Sequence, residues 1–339
     1  MKHQGVINTN QNSQIDGLKG ISSLMIVTFH LICRYSQIYL QKDIPFINLW
    51  GSLGVCIFLL ISVYYNLSGT GGGSRQVLKR VLRLWPSYIA GITLTKLVLF
   101  FIPIPERTCS FKDYLLNIFF VNGFIGTAYV DGAHWYITTL ITIIIFFSIF
   151  KYFKIHQQPL TYMIWMMIAF IFGYLLEIEL ISNAIGGVHV GVICIGALSN
   201  VNSKNKQNKI KYILWIIVFV LALCFTYVMS GKRYFFCLIL AMPIVSLALL
   251  GKITILGNQV FRFISMVSYP LYIIHQNIGF AIEYKLTEIF GDYSYSFALI
   301  AFIIVYTIAL CLYYLIEKPA QWFIKNWLFN SIETQNTNI

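Results

Sequence analysis

Long apolar runs recur along this chain, and each is about the length that carries a helix across a roughly 30 Å hydrocarbon layer. Ten stand out, at about 17–35, 48–68, 86–104, 135–153, 161–180, 185–200, 212–229, 234–250, 263–282 and 295–316. A chain of 339 residues that is 58% hydrophobic and only 11% charged holds more apolar side chain than a water-soluble domain can bury. The expected fold class is therefore all-α, a polytopic integral membrane protein with about ten transmembrane helices. The first run lacks a small-residue cleavage site and is followed by others, so it reads as a retained span. Residues 111–133 are apolar only in patches, broken by Asn117, Asn122, Gly123, Gly126 and Asp131, and read as an interfacial or re-entrant stretch.

The net charge is +12. In short loops between spans such charge reports orientation, and no nucleic-acid partner is expected. With a cytoplasmic N-terminus, sixteen of the Lys and Arg residues fall inside and seven outside, with Lys96 left in the third run. Glu177, Glu179, Glu283, Glu288 and Asp292 fall outside. Both termini are thus expected in the cytoplasm, with tails at 1–16 and 326–339 flanking one transmembrane domain at 17–325. The seven cysteines show no CxxC pair and no Cys/His ligand spacing, so no metal is expected. Most read as small buried hydrophobes, with Cys33 and Cys109 toward the outer face.

Ionisable residues inside spans are costly, and they face the protein interior or a water-filled cavity. Lys19 and His30 stand eleven positions apart in the first run. That separation is about 20° past three full turns, so both lie on one helical face about 16 Å apart. Lys19 is either a snorkelling, topology-setting cation or a ligand group. His30 is either a helix–helix hydrogen bonder or a proton-handling group. His275, His134 and His189 fall at a similar depth in the outer half, which points to a functional cavity.

The loop "SGTGGGSRQVLKRVLRLWP" contains no GxxxxGK[ST] phosphate loop. It continues as a short amphipathic helix, with Arg75, Lys79, Arg80 and Arg83 on one side and Pro86 at the junction with the next span. Two readings are open: attraction to anionic lipid heads, or a phosphate clamp. The run "NSKNKQNKIK" at 202–211 reads as a solvated loop.

Several motifs, in order, resemble those of the membrane acyltransferase 3 family, which includes surface-polysaccharide O-acetyltransferases. "IDGLKG…FH" resembles the opening signature, with Lys19 as its basic residue and His30 as its histidine. "GVCIFLLISVYY" (54–65) resembles the second-span motif, and "RVLRLWP" (80–86) the Arg-x-x-Arg element followed by Pro. "HWYITTLI" (134–141), "SYPLYIIHQ" (268–276) and "YYLIEKPAQ" (313–321) resemble three later elements. The chain departs from the family where many members have an acidic residue at Cys56, a glycine at Val63 and a glutamate at Thr138 or Thr139. Asp131 and Asp16 remain as acidic candidates beside the histidines.

The resemblance implies an acyl-CoA donor, acetyl-CoA in particular, and a glycan or lipid-linked sugar acceptor at a bacterial plasma membrane. Lys19, Arg80 and Arg83 are the expected donor-binding residues. His30, His275 and Tyr272 are the expected catalytic set: a base for the acceptor hydroxyl, and groups that orient it or donate to an oxyanion. His134, Trp135 and His189 are expected to bind the acceptor. Ser62 and Ser268 are either nucleophiles or packing serines. The rival readings are a transporter or flippase with a histidine proton relay, and a non-enzymatic subunit of a glycan-export complex.

Overall fold

The computed structural model describes residues 9–68, 73–201, 208–324 and 326, with side chains from residue 13. Lys2, Lys204, Lys206, Lys325, residues 1–8 of the expected N-terminal tail, residues 327–339 of the expected C-terminal tail, and parts of the 68–73 and 202–211 loops lie outside the described residues. All regular structure among the described residues is helical.

The chain opens with α1 (Thr9–Thr28), which runs through a π-turn at Phe29–Arg34 into α2 (Tyr35–Tyr39). Then come α3 (Pro45–Ser68), α4 (Ser74–Phe101), α5 (Phe111–Ile118), α6 (Asn122–Ile125) and α7 (Trp135–Tyr152). After them follow α8 (Pro159–Phe170), α9 (Glu179–Ala184), α10 (Val190–Leu198) and α11 (Lys209–Leu249). The chain continues through α12 (Gln259–Met266), α13 (Ser268–Phe290) and α14 (Tyr295–Leu312), which ends in a π-turn at Tyr313–Glu317.

Six of these helical stretches are long and apolar enough to cross a membrane: Ser13–Tyr39, Pro45–Ser68, Ser74–Phe101, Gly132–Tyr152, Lys209–Leu249 and Tyr295–Ile324. Pro159–Leu175 and Gly187–Leu198 are apolar but shorter. The 41-residue α11 covers two of the expected runs and breaks at Gly231, whose φ of 81° and ψ of 172° are not helical. A side chain there would meet nothing within 4 Å, so what glycine supplies is backbone freedom rather than room.

At Pro86 the structure differs from the sequence expectation. The amphipathic basic stretch and the following apolar run form one helix, α4, with Pro86 inside it. A proline removes only one rung of the ladder, and an apolar surrounding favours keeping the remaining backbone bonds within one helix.

The described residues divide into two compact units. The first extends to Gly73 and includes Gly123–Gly126 and Trp135–Ser268. Its core gathers Leu59, Val63, Phe147, Tyr162, Val192, Ala222 and Leu238, all buried. The glycines of "DGLKG" are packing residues: a Cβ on Gly17 would strike the Leu256 carbonyl, and one on Gly20 would lie 2.8 Å from the Phe261 carbonyl oxygen. These two positions let α1 close against α12 and the turn before it. The second unit comprises Ser74–Asn122, Thr127–His134 and the chain from Tyr269 onward. There α4 packs on α5, on α14 and on the π-turn at Tyr313–Glu317.

Candidate active site

The first unit holds Lys19, His30, Trp135 and His189. His30 sits in the π-turn, where its Nδ1 lies 2.9 Å from the Ile26 carbonyl oxygen. A carbonyl only accepts, so Nδ1 carries the proton, and in the neutral ring the lone pair is on Nε2. The Phe29 ring meets the imidazole edge-on at 4.8 Å. Because the π-turn begins at Phe29, the ideal 100° projection from Lys19 applies only through Thr28.

The Lys19 ammonium is already engaged. It pairs with Asp16 at 3.0 Å and stands 4.4 Å above the Tyr65 ring. Asp16 is thus spoken for by Lys19.

His189 stacks on Trp135, with ring centroids 4.5 Å apart and planes 16° apart. Its Nδ1 is 3.1 Å from the Tyr234 hydroxyl, and the buried Cys56 thiol interacts with that tyrosine. The half-buried Tyr234, with the buried Cys56 beside it, thus supports His189. Sequence reading did not pick out Tyr234; the available signal was a polar ring directly after Lys232 and Arg233, at the start of an apolar run. The Ser62 hydroxyl is bonded to the Tyr136 hydroxyl at 2.8 Å, the arrangement expected of a packing serine.

The second unit holds Arg80, Arg83, His134, Tyr272 and His275. Arg80 is half-buried and Arg83 exposed along α4. The Arg83 charge acts through space on Glu317, a buried carboxylate whose Oε1 accepts from Gln321 Nε2 at 2.8 Å. Fully buried His134 donates through Nε2 to the Ile273 carbonyl at 2.8 Å, and among the described residues its Nδ1 has no hydrogen-bond partner. His275 points Nδ1 at the Tyr272 carbonyl, 2.8 Å away. The Tyr272 hydroxyl donates to the Ala133 carbonyl.

Asp131 explains how these groups are held. It is fully buried, and its two oxygens accept from Ala133 N at 2.9 Å and Asn277 N at 2.7 Å. Ile273 and Asn277 are i,i+4 partners on α13. The carbonyl of one receives His134 and the amide of the other reaches Asp131, so the loop before α7 plugs into a single rung of α13. Asp131 therefore orients backbone, while its charge reaches both His134 and His275. Asn117 locks the same loop. Fully buried, its amide donates to Asp113 O (2.8 Å) and Ala128 O (2.9 Å), while its carbonyl accepts from Val130 N (3.2 Å) and the Tyr88 hydroxyl (3.3 Å).

Among the described residues, no group of three or more His, Cys, Asp or Glu side chains is arranged to hold a metal. The fold and these polar clusters define a multi-pass, all-helical membrane protein with several oriented histidines. The chain belongs to the acyltransferase 3 family: the family model, described as an acyltransferase domain, matches residues 12–317. That span contains every one of the nine expected site residues. No curated protein and no solved structure matches the chain. Membership makes it a membrane acyltransferase.

Proposed function

We propose that the protein moves an acetyl or other short acyl group from acyl-CoA to a hydroxyl of a cell-surface or lipid-linked glycan, with acetyl-CoA as the donor. The observation that carries the chemistry is the His30 contact with the Ile26 carbonyl, because it fixes the tautomer a general base needs. In the step we propose, the acceptor oxygen attacks the thioester carbonyl as Nε2 of His30 takes its proton. The new C–O bond forms, the C–S bond breaks, and the proton passes to the departing CoA thiolate, giving an ester and free CoA.

Roles are assigned residue by residue. Arg80 and Arg83 hold donor phosphates, for which a guanidinium is the suited group. Lys19 is a third donor-side cation; its pair with Asp16 is of the partly exposed i,i+3 kind, which contributes little and yields readily to a phosphate. His275 and Tyr272 orient the acceptor. His134, Trp135 and His189 bind it, the Trp135–His189 stack offering a flat face to a sugar ring. Ten crossings with both termini cytoplasmic complete the reading. The break at Gly231, which makes two arms of α11, and the bias of basic residues to one side support that topology. The membrane is a bacterial plasma membrane.

Purified protein in lipid, incubated with radiolabelled acetyl-CoA and candidate glycans, should yield labelled ester and free CoA together. Solute movement into vesicles without ester would replace this reading with transport.

A further inference from the structure

The sequence expectation starts a span at about 263, but the structure makes Gln259–Met266 a helix of its own, α12. Its eight residues rise about 12 Å, less than half of a hydrocarbon layer, so α12 does not cross. Asn258 fixes where it begins: the side chain accepts from the Phe261 amide at 3.0 Å.

One edge of the apolar side of α12 packs on α1. A Cβ on Gly17 would lie 3.1 Å from Phe261 Cβ, and one on Gly20 would lie 3.3 Å from Ile264 Cβ and 2.9 Å from Ser265 N. The other edge carries Val260 and Phe263, one turn apart and 64% and 46% exposed. Ile255, in the turn before α12, is 66% exposed. Beside this apolar edge Arg262 is exposed, and Lys252 is exposed at the start of the same connection. Among the described residues neither cation has an ion pair or a side-chain hydrogen bond. No Asp or Glu occurs between Glu179 and Glu283, so the segment brings no carboxylate of its own to neutralise them.

We propose that α12 is a docking surface for an anionic phospholipid, with the lipid phosphate at Arg262 and its acyl chains along Val260 and Phe263. A short amphipathic helix in a membrane protein lies at headgroup level, where such a lipid is. Exposed apolar side chains next to an exposed cation fit a ligand that is both apolar and anionic, as a free phosphate is not. The unopposed charge of Arg262 and Lys252 selects an anionic headgroup over a zwitterionic one. The arginine stem lies along the apolar edge while its head reaches the phosphate. Since α12 bears on α1 at Gly17 and Gly20, on either side of Lys19 in the sequence, the lipid also seats the helix that carries Lys19.

The test is native mass spectrometry of the full-length protein in detergent micelles, titrated with phosphatidylglycerol or phosphatidylcholine of the same acyl chains. Neither donor nor acceptor is present, so the result does not depend on acyl transfer. The parent protein should hold phosphatidylglycerol at least about fivefold more tightly, and Arg262→Gln should lose about that factor. Lys252→Gln should act in the same direction, and Arg262→Lys should keep most of the affinity, which separates loss of charge from loss of fold. Phe263→Ser should weaken both lipids. Lys209→Gln, which removes an exposed charge from the start of α11, should change nothing. Equal binding of the two lipids by the parent, or unaltered phosphatidylglycerol affinity in Arg262→Gln, would overturn the site. An equal loss in Lys209→Gln would also overturn it, because bulk charge alone would then be responsible. Phosphatidylglycerol binding that survives Phe263→Ser and is displaced by inorganic phosphate would replace the lipid surface with a phosphate site.

Discussion

The imidazole of His189 lies flat on the indole of Trp135, with centroids 4.5 Å and planes 16° apart, and Tyr234 fixes its angle through Nδ1. If this stack is the acceptor platform, the ring face matters more than the residue. Trp135→Ala should raise the acceptor KM about tenfold, while Trp135→Phe keeps most of the affinity. Tyr234→Phe removes one neutral hydrogen bond, worth about 1 kcal/mol, and should raise that KM about fivefold with the donor KM unchanged. Initial rates with each substrate varied separately check all three; an unmoved acceptor KM in Trp135→Ala removes the platform.

His30→Ala should abolish ester formation while the protein inserts and purifies normally, since alanine supplies no basic nitrogen. His30→Gln tests the same point with a side chain that can reach Ile26 but has no basic nitrogen, and it should be equally inactive. The measurement is labelled ester per mole of monodisperse protein. Activity within twofold of the parent protein in either variant would rule out the base.

Arg83→Ala should raise the apparent KM for acyl-CoA about tenfold, and Arg83→Lys should recover only part of it, because an ammonium cannot bind phosphate oxygens bidentately. A phosphate-free acyl thioester such as S-acetylpantetheine should show no discrimination between parent and variant. A normal donor KM in Arg83→Ala would remove the clamp and leave Arg83 to Glu317 and the lipid surface.

Asn117→Ala strands two carbonyls, one backbone amide and the Tyr88 hydroxyl in a buried setting. The cost should be about 3 kcal/mol. Asn117→Asp should do no better, because it removes both donors and adds a charge. Thermal unfolding in mild detergent reads this directly. An unfolding midpoint within a degree of the parent would mean that Asn117 contributes little.

Burial pushes the Cys109 thiol above its ordinary value, with the positive charge of Lys96 pulling the other way more weakly. A raised thiol pKa leaves less thiolate at neutral pH, and the thiolate is the nucleophile. A single-cysteine variant that keeps Cys109 should therefore react slowly with an impermeant maleimide at pH 7 and steadily faster toward pH 9. With both termini cytoplasmic, labelling should occur on intact cells. Labelling that requires lysed cells would reverse the orientation.

The helical class and the membrane setting were legible in the chain because both rest on long runs of apolar residues, which composition records directly. Helix ends and continuity were harder. Pro86 looks like a boundary and sits inside α4, because the loss of one rung is a weaker effect than the continuity favoured by an apolar surrounding. Gly231 lies between two expected runs, and only its backbone angles show that they join as one broken element. Among the candidate site residues, the motif histidines were visible as ionisable groups in apolar runs. Their partners were not, since Tyr234, Cys56, Asn117 and the backbone of Ile273 are distant in sequence and unremarkable in type. The role of Asp131 was legible only as a charge; that it holds Ala133 and Asn277 depends on where α13 passes.

The π-turn at Phe29–Arg34 has a consequence for how this helix tolerates change. It stores one surplus residue in a segment that otherwise follows regular spacing. Deleting any one residue between 29 and 34 would allow an ordinary α-helix to form while leaving the chain after it on its present face, whereas the same deletion in the regular part of α1 would swing everything after it by about 100°. Hydropathy, length and charge would scarcely register the loss of the wide turn, yet the imidazole inside it would be re-aimed.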